Sequence, residues 1–422
     1  MKKKILFIVE ANTWSNSVRC LVLARGLDPH QYEVHFASAS FDERIFGGTS
    51  FTRWPINSIP RETVAELLST STIDLQRIPY TRDVIERYIA EELALYEAIH
   101  PDLVVHDMRF FSTPVSAPAF GVPCANLINA FYTYWIRRGS YRGFPPPLPE
   151  IRQLRWVNPT ILEFFIPLAM PIGLRFLART VNRLRREHGL PKISDLFHVM
   201  TWGDYVLFPD DPLLVPLKEQ APNETFLGPV LWSPQVPLPE YWDELGRDRP
   251  MVYATPGSSG GPSAMPKVLE ALGSMDVDVV LSAAGYTVPK PPPPNVHVVD
   301  MIPGDLAARK AAVVVCNGGA GTGYQALAEG RPTVSTPSTA DQVMAARFVR
   351  DAGAGVLLSD SWKVTAAEIR TAVERVMREE RFTQAAQRVA ASFARFDPHA
   401  RFHAVIDEVT EDGERDDQRY DL

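Results

Sequence analysis

Twice along this chain, short apolar runs alternate with amphipathic helical stretches, and a proline-rich segment separates the two sets. In the first set, Lys4–Val9, Tyr32–Ala37, Leu103–Val105 and Pro123–Ile128 read as strands, with helices over Val18–Leu27 and Thr81–Ile99. In the second, Met251–Thr255, Val277–Ser282, Val296–Val299, Ala312–Cys316 and Thr333–Ser335 read as strands, and Thr322–Glu329 as a helix. Continuous apolar strands interleaved with helices demand parallel sheets covered on both faces. Pro229, Pro234, Pro237 and Pro239 lie between the sets, where missing donors and fixed φ favour extended chain. A length of 422 residues exceeds one ordinary core and suits two. The predicted organisation is therefore α/β, with two doubly wound, Rossmann-like domains facing a cleft. Their expected bounds are 1–228 and 246–395, joined by a linker over 229–245 and followed by a helix over 396–410 and a charged, disordered tail over 411–422. Ligands of such folds sit at the carboxyl ends of the strands.

Two segments fit the alternation poorly. Residues 129–160 hold Phe131, Tyr132, Tyr134, Trp135, Tyr141, Phe144 and the run Pro145–Pro147. Little regular structure is expected there, and so long a loop is usually functional. Ile161 to Ala178 is the most apolar stretch, yet it contains Glu163, Pro167, Pro171 and Arg175. That makes a poor membrane span; a core helix is the favoured reading, and a surface for a lipophilic partner the other.

Bulk properties exclude several classes. A formal charge of −7 does not favour nucleic acid. The three cysteines, Cys20, Cys124 and Cys316, are far apart and odd in number, which fits a reduced, cytoplasmic setting and no disulfide framework. The apolar run after Lys2–Lys4 stops at Glu10, too early for a secretory h-region. No Cys/His group has zinc-ligand spacing, and neither a metal nor a bound cofactor is expected.

The chemistry concentrates between Val313 and Gln342. A strand runs into Asn317-Gly-Gly-Ala-Gly-Thr322 and then into a helix. Glycines admit close backbone approach, and the free N–H groups of a new helix favour an anion such as a diphosphate. The plain alternative is a strand–helix turn, although one glycine would serve that purpose. The glycine pattern is not GxGxxG, because Ala320 breaks it, and no GxxxxGK[ST] occurs. Further on, a strand and the turn at Pro337 present Asp341 and Gln342. An adjacent carboxylate and amide suit vicinal sugar hydroxyls, whereas a solvated loop cap would explain them more simply.

Together these segments resemble the donor motif of family 1 glycosyltransferases of the GT-B fold, which reads His-Gly-Gly-x-Gly-Ser/Thr, Glu-Ala-Leu, Gly-x-Pro, Pro and Asp-Gln. The matching positions are Asn317, Gly318, Gly319, Gly321, Thr322, Gln325, Ala326, Leu327, Gly330, Pro332, Pro337, Asp341 and Gln342. The likeness covers most of the chain, is most specific over 226–350, and is strongest to bacterial members that glycosylate small natural products, antibiotics among them. It implies hexosyl transfer from a UDP- or dTDP-sugar to a small acceptor, the nucleotide sugar being a co-substrate. It further implies that Ser258 and Ser259 face the diphosphate, that the backbone of Ile302 reads the base, and that Gln325 stands for a ribose-binding Glu. Asn317 takes the place of a phosphate-contacting His. Residues 1–228 would bind the acceptor.

One departure bears on catalysis. The family places a base histidine in the loop after the first strand, oriented by an aspartate; the alignment puts Asn16 and Asp107 there. Asparagine is no base. Either Asp107 itself serves, or an acidic acceptor such as a phenol, with pKa about 10, needs little help, or the chain is a weak or inactive sugar-nucleotide-binding relative. His106 is expected to face away as a core or surface histidine. Phe110, Phe111, Tyr132, Tyr134 and Trp135 would line the acceptor side, if they are not ordinary core. Gly257-Ser-Ser-Gly-Gly261 also fits the GxSxG elbow of serine hydrolases, with Ser259, Asp341 and His399 or His403 as the triad. Other two-lobed sugar-nucleotide enzymes remain a further alternative. Membrane contact is not indicated, and nothing in the sequence fixes an oligomeric state.

Overall fold

The computed structural model describes residues 2–10, 14–57, 72–73, 80–138, 141–142, 144, 150–151, 156–259, 262–289 and 291–411. The tail expected to be disordered, from residue 412 on, lies outside them, as does much of the aromatic and proline-rich stretch around 145–149.

In chain order the elements of the first half are β1 (Lys3–Ile8), α1 (Trp14–Arg25), β2 (Tyr32–Ser38), α2 (Glu43–Phe46), β3 (Thr52–Pro55), β4 (Thr72–Ile73), α3 (Arg82–Ile99), β5 (Leu103–Asp107), α4 (Thr113–Phe120), β6 (Cys124–Leu127), α5 (Ala130–Arg137), β7 (Glu150–Ile151), α6 (Pro159–Leu177), α7 (Arg179–Glu187), α8 (Leu196–Met200), β8 (Tyr205–Phe208) and β9 (Glu224–Phe226). The second half contains β10 (Met251–Thr255), α9 (Met265–Gly273), β11 (Asp278–Ser282), β12 (Val296–Val299), α10 (Gly304–Lys310), β13 (Val313–Cys316), α11 (Ala320–Ala328), β14 (Thr333–Ser335), α12 (Ala340–Asp351), β15 (Gly355–Leu357), α13 (Ala366–Arg378), α14 (Glu380–Phe393) and α15 (Pro398–Glu411).

The strands form two main sheets, ordered β3-β2-β1-β5-β6-β8-β9 and β12-β11-β10-β13-β14-β15. Pairings in both are parallel, for example Ile5 with Val34 and Leu103, and Tyr253 with Val280 and Val314. Strands β5, β6, β10, β11 and β13 are buried throughout. That follows from runs such as Val313-Val-Val-Cys316, which have no polar face to give to water. Each sheet reverses strand order beside its first strand, which opens a crevice at the carboxyl ends of β1 and β10. This is the architecture of the GT-B fold.

The chain crosses between the sheets twice. The first crossing follows β9 through Gly228 and the linker prolines; the second follows α14 and returns α15 to the first sheet, where Phe402, Val405 and Ile406 join the core around Phe7 and Phe36. The crossings touch. A Cβ on Gly228 would sit 2.2 Å from Cβ of Phe396, and Gly228 has φ +87°. Arg401 donates to the Phe226 carbonyl at 2.8 Å and covers the Phe396 ring at 4.5 Å.

Two expectations fail. Residues 130–137 form a helix and not a loop. Its start is fixed from a distance: the buried Asp210 carboxylate, just past β8, accepts from the Ala130 N–H at 2.7 Å and from Asn129 Nδ2 at 2.9 Å. Phe131, Tyr132 and Trp135 then pack inward at helical spacing. The stretch from Ile161 is also not a core helix. In α6, Phe164 is 72% exposed and Ile172 71%, with Ile161, Phe165, Leu168 and Phe176 exposed beside them. The apolar content of this segment misled, because composition cannot tell a buried face from an unpartnered one.

A cleft between the sheets as candidate active site

The carboxyl ends of both sheets open into one cleft, the usual place for a ligand in such sheets. The first sheet contributes Val18, Arg19, Asn129 and Phe131 to its wall. From the second come Thr255 at the end of β10 with Ser258 and Ser259 after it, Ser282 at the end of β11, Ile302 beyond β12, and Asn317 and Gly319 to Thr322 after β13.

The floor is the start of α11. Gly318 has φ +79°, and a Cβ there would meet Cβ of Ala346 at 2.8 Å, so the turn out of β13 requires glycine. The N-cap is Gly319, which has no side chain to satisfy the first-turn N–H groups. The first intrahelical bond runs from the Gly323 N–H to the Gly319 carbonyl, leaving Ala320, Gly321 and Thr322 N–H groups aimed at the cleft without intrahelical partners. Asn317 is buried, and its Oδ1 accepts from the Gly319 N–H at 3.0 Å, which holds the glycine turn open. An anion here meets both the donors and the positive end of the helix dipole.

Around this floor the expected donor residues separate. Ser258, Ser259, Ile302, Asn317, Gly319, Gly321, Thr322, Gln325 and Asp341 all line the cleft. Gly318 lies behind it as the turn. Gln325 spends its amide nitrogen on the linker, donating to the Trp232 carbonyl and to Ser233 Oγ. Gln342 is fully buried behind the wall. Its Nε2 donates to the Ser259 carbonyl at 2.9 Å, and its Oε1 accepts from the Ser338 N–H at 2.7 Å. This glutamine therefore ties the serine loop to the turn before α12, while Asp341 alone of the pair points its chemistry at the cleft.

Of the two residues expected to act on the acceptor, Asp107 is not among those that line the cleft, and Asn16 lies in α1 with its side chain outside the described residues. Asp107 ends β5 in a buried position and is bound by Arg109, with Nη2 at 2.8 Å and Nε at 3.3 Å; the Arg109 N–H adds a bond at 3.0 Å. Burial works against the Arg109 charge, but the Asp107 carboxylate and Glu10 hold the guanidinium protonated. His106 is buried, with its ring beside the Asp107 carbonyl, and burial lowers its pKa to about 4. It is a neutral core histidine, as strand alternation implies.

The sequence reading passed over several residues. Arg19, on the same face of α1 as Asn16 one turn on, lines the cleft and donates to Asn129 Oδ1 at 2.9 Å. Its spacing from Asn16 was the available signal. Glu10, fully buried past the end of β1, had been taken only as the end of an apolar run. Asp210 joins the two walls: besides capping α5, it accepts a hydrogen bond from the Tyr324 hydroxyl of α11. No local sequence pattern announces that pairing.

The aromatic residues also divide. Phe110 is 1% exposed in the core between α3 and the first sheet, with Leu6, Ile8 and Tyr88, so it does not line the cleft. Phe111 packs on Tyr80 at 4.7 Å. Tyr132, Tyr134 and Trp135 belong to a cluster that spans both sheets, with the Tyr134 ring edge-on to Phe348 of α12 at 5.1 Å. The Tyr132 hydroxyl is raised well above its usual pKa, by burial first and then by the nearby Asp341 carboxylate. Phe131, the first residue of the aromatic stretch, is the member of this group that reaches the cleft wall.

The serine-hydrolase arrangement does not form. His399 and His403 sit on α15, docked against Gly26 in the turn after α1, with His403 Nε2 3.0 Å from the Gly26 carbonyl. Neither lines the cleft that holds Ser259.

Comparisons with known proteins agree with this geometry. The family description "Erythromycin biosynthesis protein CIII-like, C-terminal domain" matches residues 266–401. Over 393 residues the chain is 38% identical to the PGL/p-HBAD biosynthesis glycosyltransferase of Mycobacterium tuberculosis (strain H37Ra), covering 93% of this chain and 89% of that protein. It is 36% identical over 395 residues to the PGL/p-HBAD biosynthesis rhamnosyltransferase of Mycobacterium bovis BCG, covering 93% and 85%. A third relative, 37% identical over 292 residues (69% and 76%), is the inactive PGL/p-HBAD biosynthesis glycosyltransferase of the same organism. Among solved structures, spinosyn forosaminyltransferase SpnP superposes with TM-score 0.71 at 19% identity, covering 97% of this chain and 100% of the other. Glycosyltransferase VinC, solved with dTDP, gives 0.66 at 19% with the same coverage. With its two facing sheets, its cleft and these relatives, the chain belongs to the family of PGL/p-HBAD biosynthesis glycosyltransferases, built on the GT-B fold.

Proposed function

We propose that the chain moves a hexose from a UDP- or dTDP-sugar, with inversion, to a phenolic hydroxyl of a small lipophilic acceptor in the cytoplasm. The observation that carries this reading is the convergence, in one cleft, of the unsatisfied N–H groups of Ala320–Thr322, the hydroxyls of Ser258 and Ser259, and the Asp341 carboxylate. The first two groups suit a diphosphate, and the third suits sugar hydroxyls. Solved neighbours that hold dTDP support a nucleoside diphosphate of this kind. As the diphosphate leaves, the helix terminus and Arg19 would offset its charge, so the reading calls for no metal.

The phenolic acceptor follows from Asn16 and Asp107. Asn16 cannot take a proton, and a carboxylate engaged through both oxygens by a guanidinium, as Asp107 is by Arg109, makes a poor base. A phenol, with pKa about 10, ionises far more readily than an alcohol. The aromatic cluster around Phe131 and Tyr132 favours a flat, apolar acceptor. A second reading, a sugar-nucleotide-binding protein without turnover, is favoured by Asn16 and by the existence of an inactive relative.

One experiment separates the readings. Calorimetric titration with UDP- and dTDP-glucose is followed by mass spectrometry of reactions with phenols and with aliphatic alcohols. The expected result is donor binding with hexose gained by phenols alone. Binding without transfer to any acceptor would replace the proposal by the non-catalytic reading, and absence of binding would remove both.

A further inference from the structure

The outer face of α6 and α7 carries a feature that sugar transfer does not use. Trp156, Ile161, Phe164, Phe165, Leu168, Ile172 and Phe176 are all exposed, Trp156 to 81%. From Ile161 the exposed positions recur every three or four residues, so they form one stripe along the helix. The stripe continues past Leu177 into α7, but its chemistry changes. Arg175, Arg179, Arg183 and Arg186 keep the same spacing and are exposed. None of them is ion-paired with a described residue, and Arg179 lies over the Phe176 ring at 4.8 Å. Between residues 159 and 186 the only acidic residue in the sequence is Glu163.

The reverse side is anchored from Leu174 onward. Leu174 joins the cluster of Phe131, Tyr132 and Trp135, and Ala178, Val181 and Leu184 pack under α3 and α4. A helix pair fastened to the protein body over that part does not thread a bilayer, although Phe164–Glu187 has the length and apolarity of a span. It can lie on one.

We propose that this face docks the protein on an anionic lipid bilayer, with the Phe/Ile/Leu stripe at the acyl boundary and the arginine stripe on lipid phosphates. Charge complementarity selects this occupant. The chain as a whole carries −7, yet Arg175, Arg179, Arg183 and Arg186 extend the exposed apolar stripe, and anionic headgroups supply the matching charge. A bulky apolar face flanked by arginines and preceded by an exposed tryptophan has the composition of an interfacial helix. Leu174 lies on the far side of the stripe from the bilayer, against the aromatic cluster. Docking would thus bring the acceptor side of the cleft to the membrane, where lipophilic molecules collect.

The test is flotation of the full chain with phosphatidylcholine vesicles, with and without phosphatidylglycerol. The expected result is strong flotation with the anionic vesicles, reduced at high salt. Arg175→Gln/Arg179→Gln/Arg183→Gln should weaken anionic binding by about tenfold or more. Phe164→Ser/Ile172→Ser should abolish it. Unchanged circular dichroism and unchanged calorimetric donor binding would show that both variants remain folded. Equal flotation with both vesicle types, or none with the anionic ones, overturns the proposal. A concentration-dependent dimer that Ile172→Asp abolishes, with no flotation, would overturn it too and assign the stripe to a contact between two copies.

Discussion

The proposed chemistry turns on Asn16, which lies in α1 one turn before Arg19 of the cleft wall. Asn16→His should restore a base beside Asp107 and raise hexose transfer to aliphatic alcohols by about 10²-fold; product mass spectrometry reads the change, and a flat result would mean that Asp107 is not placed to orient an imidazole. A second buried acid, Glu92 in α3, makes a stability prediction. Ser112 Oγ donates to it at 2.5 Å and Thr113 Oγ1 at 3.2 Å, with Ser116 on its other oxygen, yet burial outweighs these bonds and raises its pKa to about 7. A folded-state pKa above the unfolded value stabilises the protein fully at low pH. That contribution is lost as pH rises toward 7. Glu92→Gln should therefore flatten the decline in melting temperature between about pH 4 and pH 7, and leave the variant more stable than the parent at pH 8. Thermal melts across pH would expose the opposite sign at once.

Among the elements, α11 carries the strongest functional consequence. A Cβ at Gly321 would meet nothing within 4 Å, so Gly321→Val costs the fold little and fills only the space where a diphosphate would sit. Donor binding should fall at least about tenfold at an unchanged melting temperature, and normal calorimetric binding would place the anion seat elsewhere. The legibility of the chain differs by element for physical reasons. Strands such as Val313–Cys316 announce themselves because a parallel sheet buries both faces, and the glycine turn after them because backbone geometry permits little else. The resemblance singled out Asp341, which lines the cleft, whereas the partners of Gln342 depend on where the Ser259 loop folds, which no local pattern encodes. Helix α5 was missed because its N-terminus is capped by Asp210, about eighty residues along the chain. The exposed face of α6 was misread because apolar content carries no record of what, if anything, covers it.

At the scale of the molecule, the two sheets are joined at Gly228 and Phe396 and across the cleft by Tyr324 on Asp210. Gly228→Ala meets both a steric contact with Phe396 and a left-handed backbone, and should lower stability by at least about 1 kcal/mol; an unchanged thermal melt would mean that the crossings are free to move apart. If they are not, the crossings fasten the two halves at their edge. Both passages of chain go through one small region at the edge of the cleft, and Arg401 rivets the returning helix to the end of β9. With Tyr134 on Phe348 and Tyr324 on Asp210 added, any change in the width of the cleft has to break contacts at each of these places.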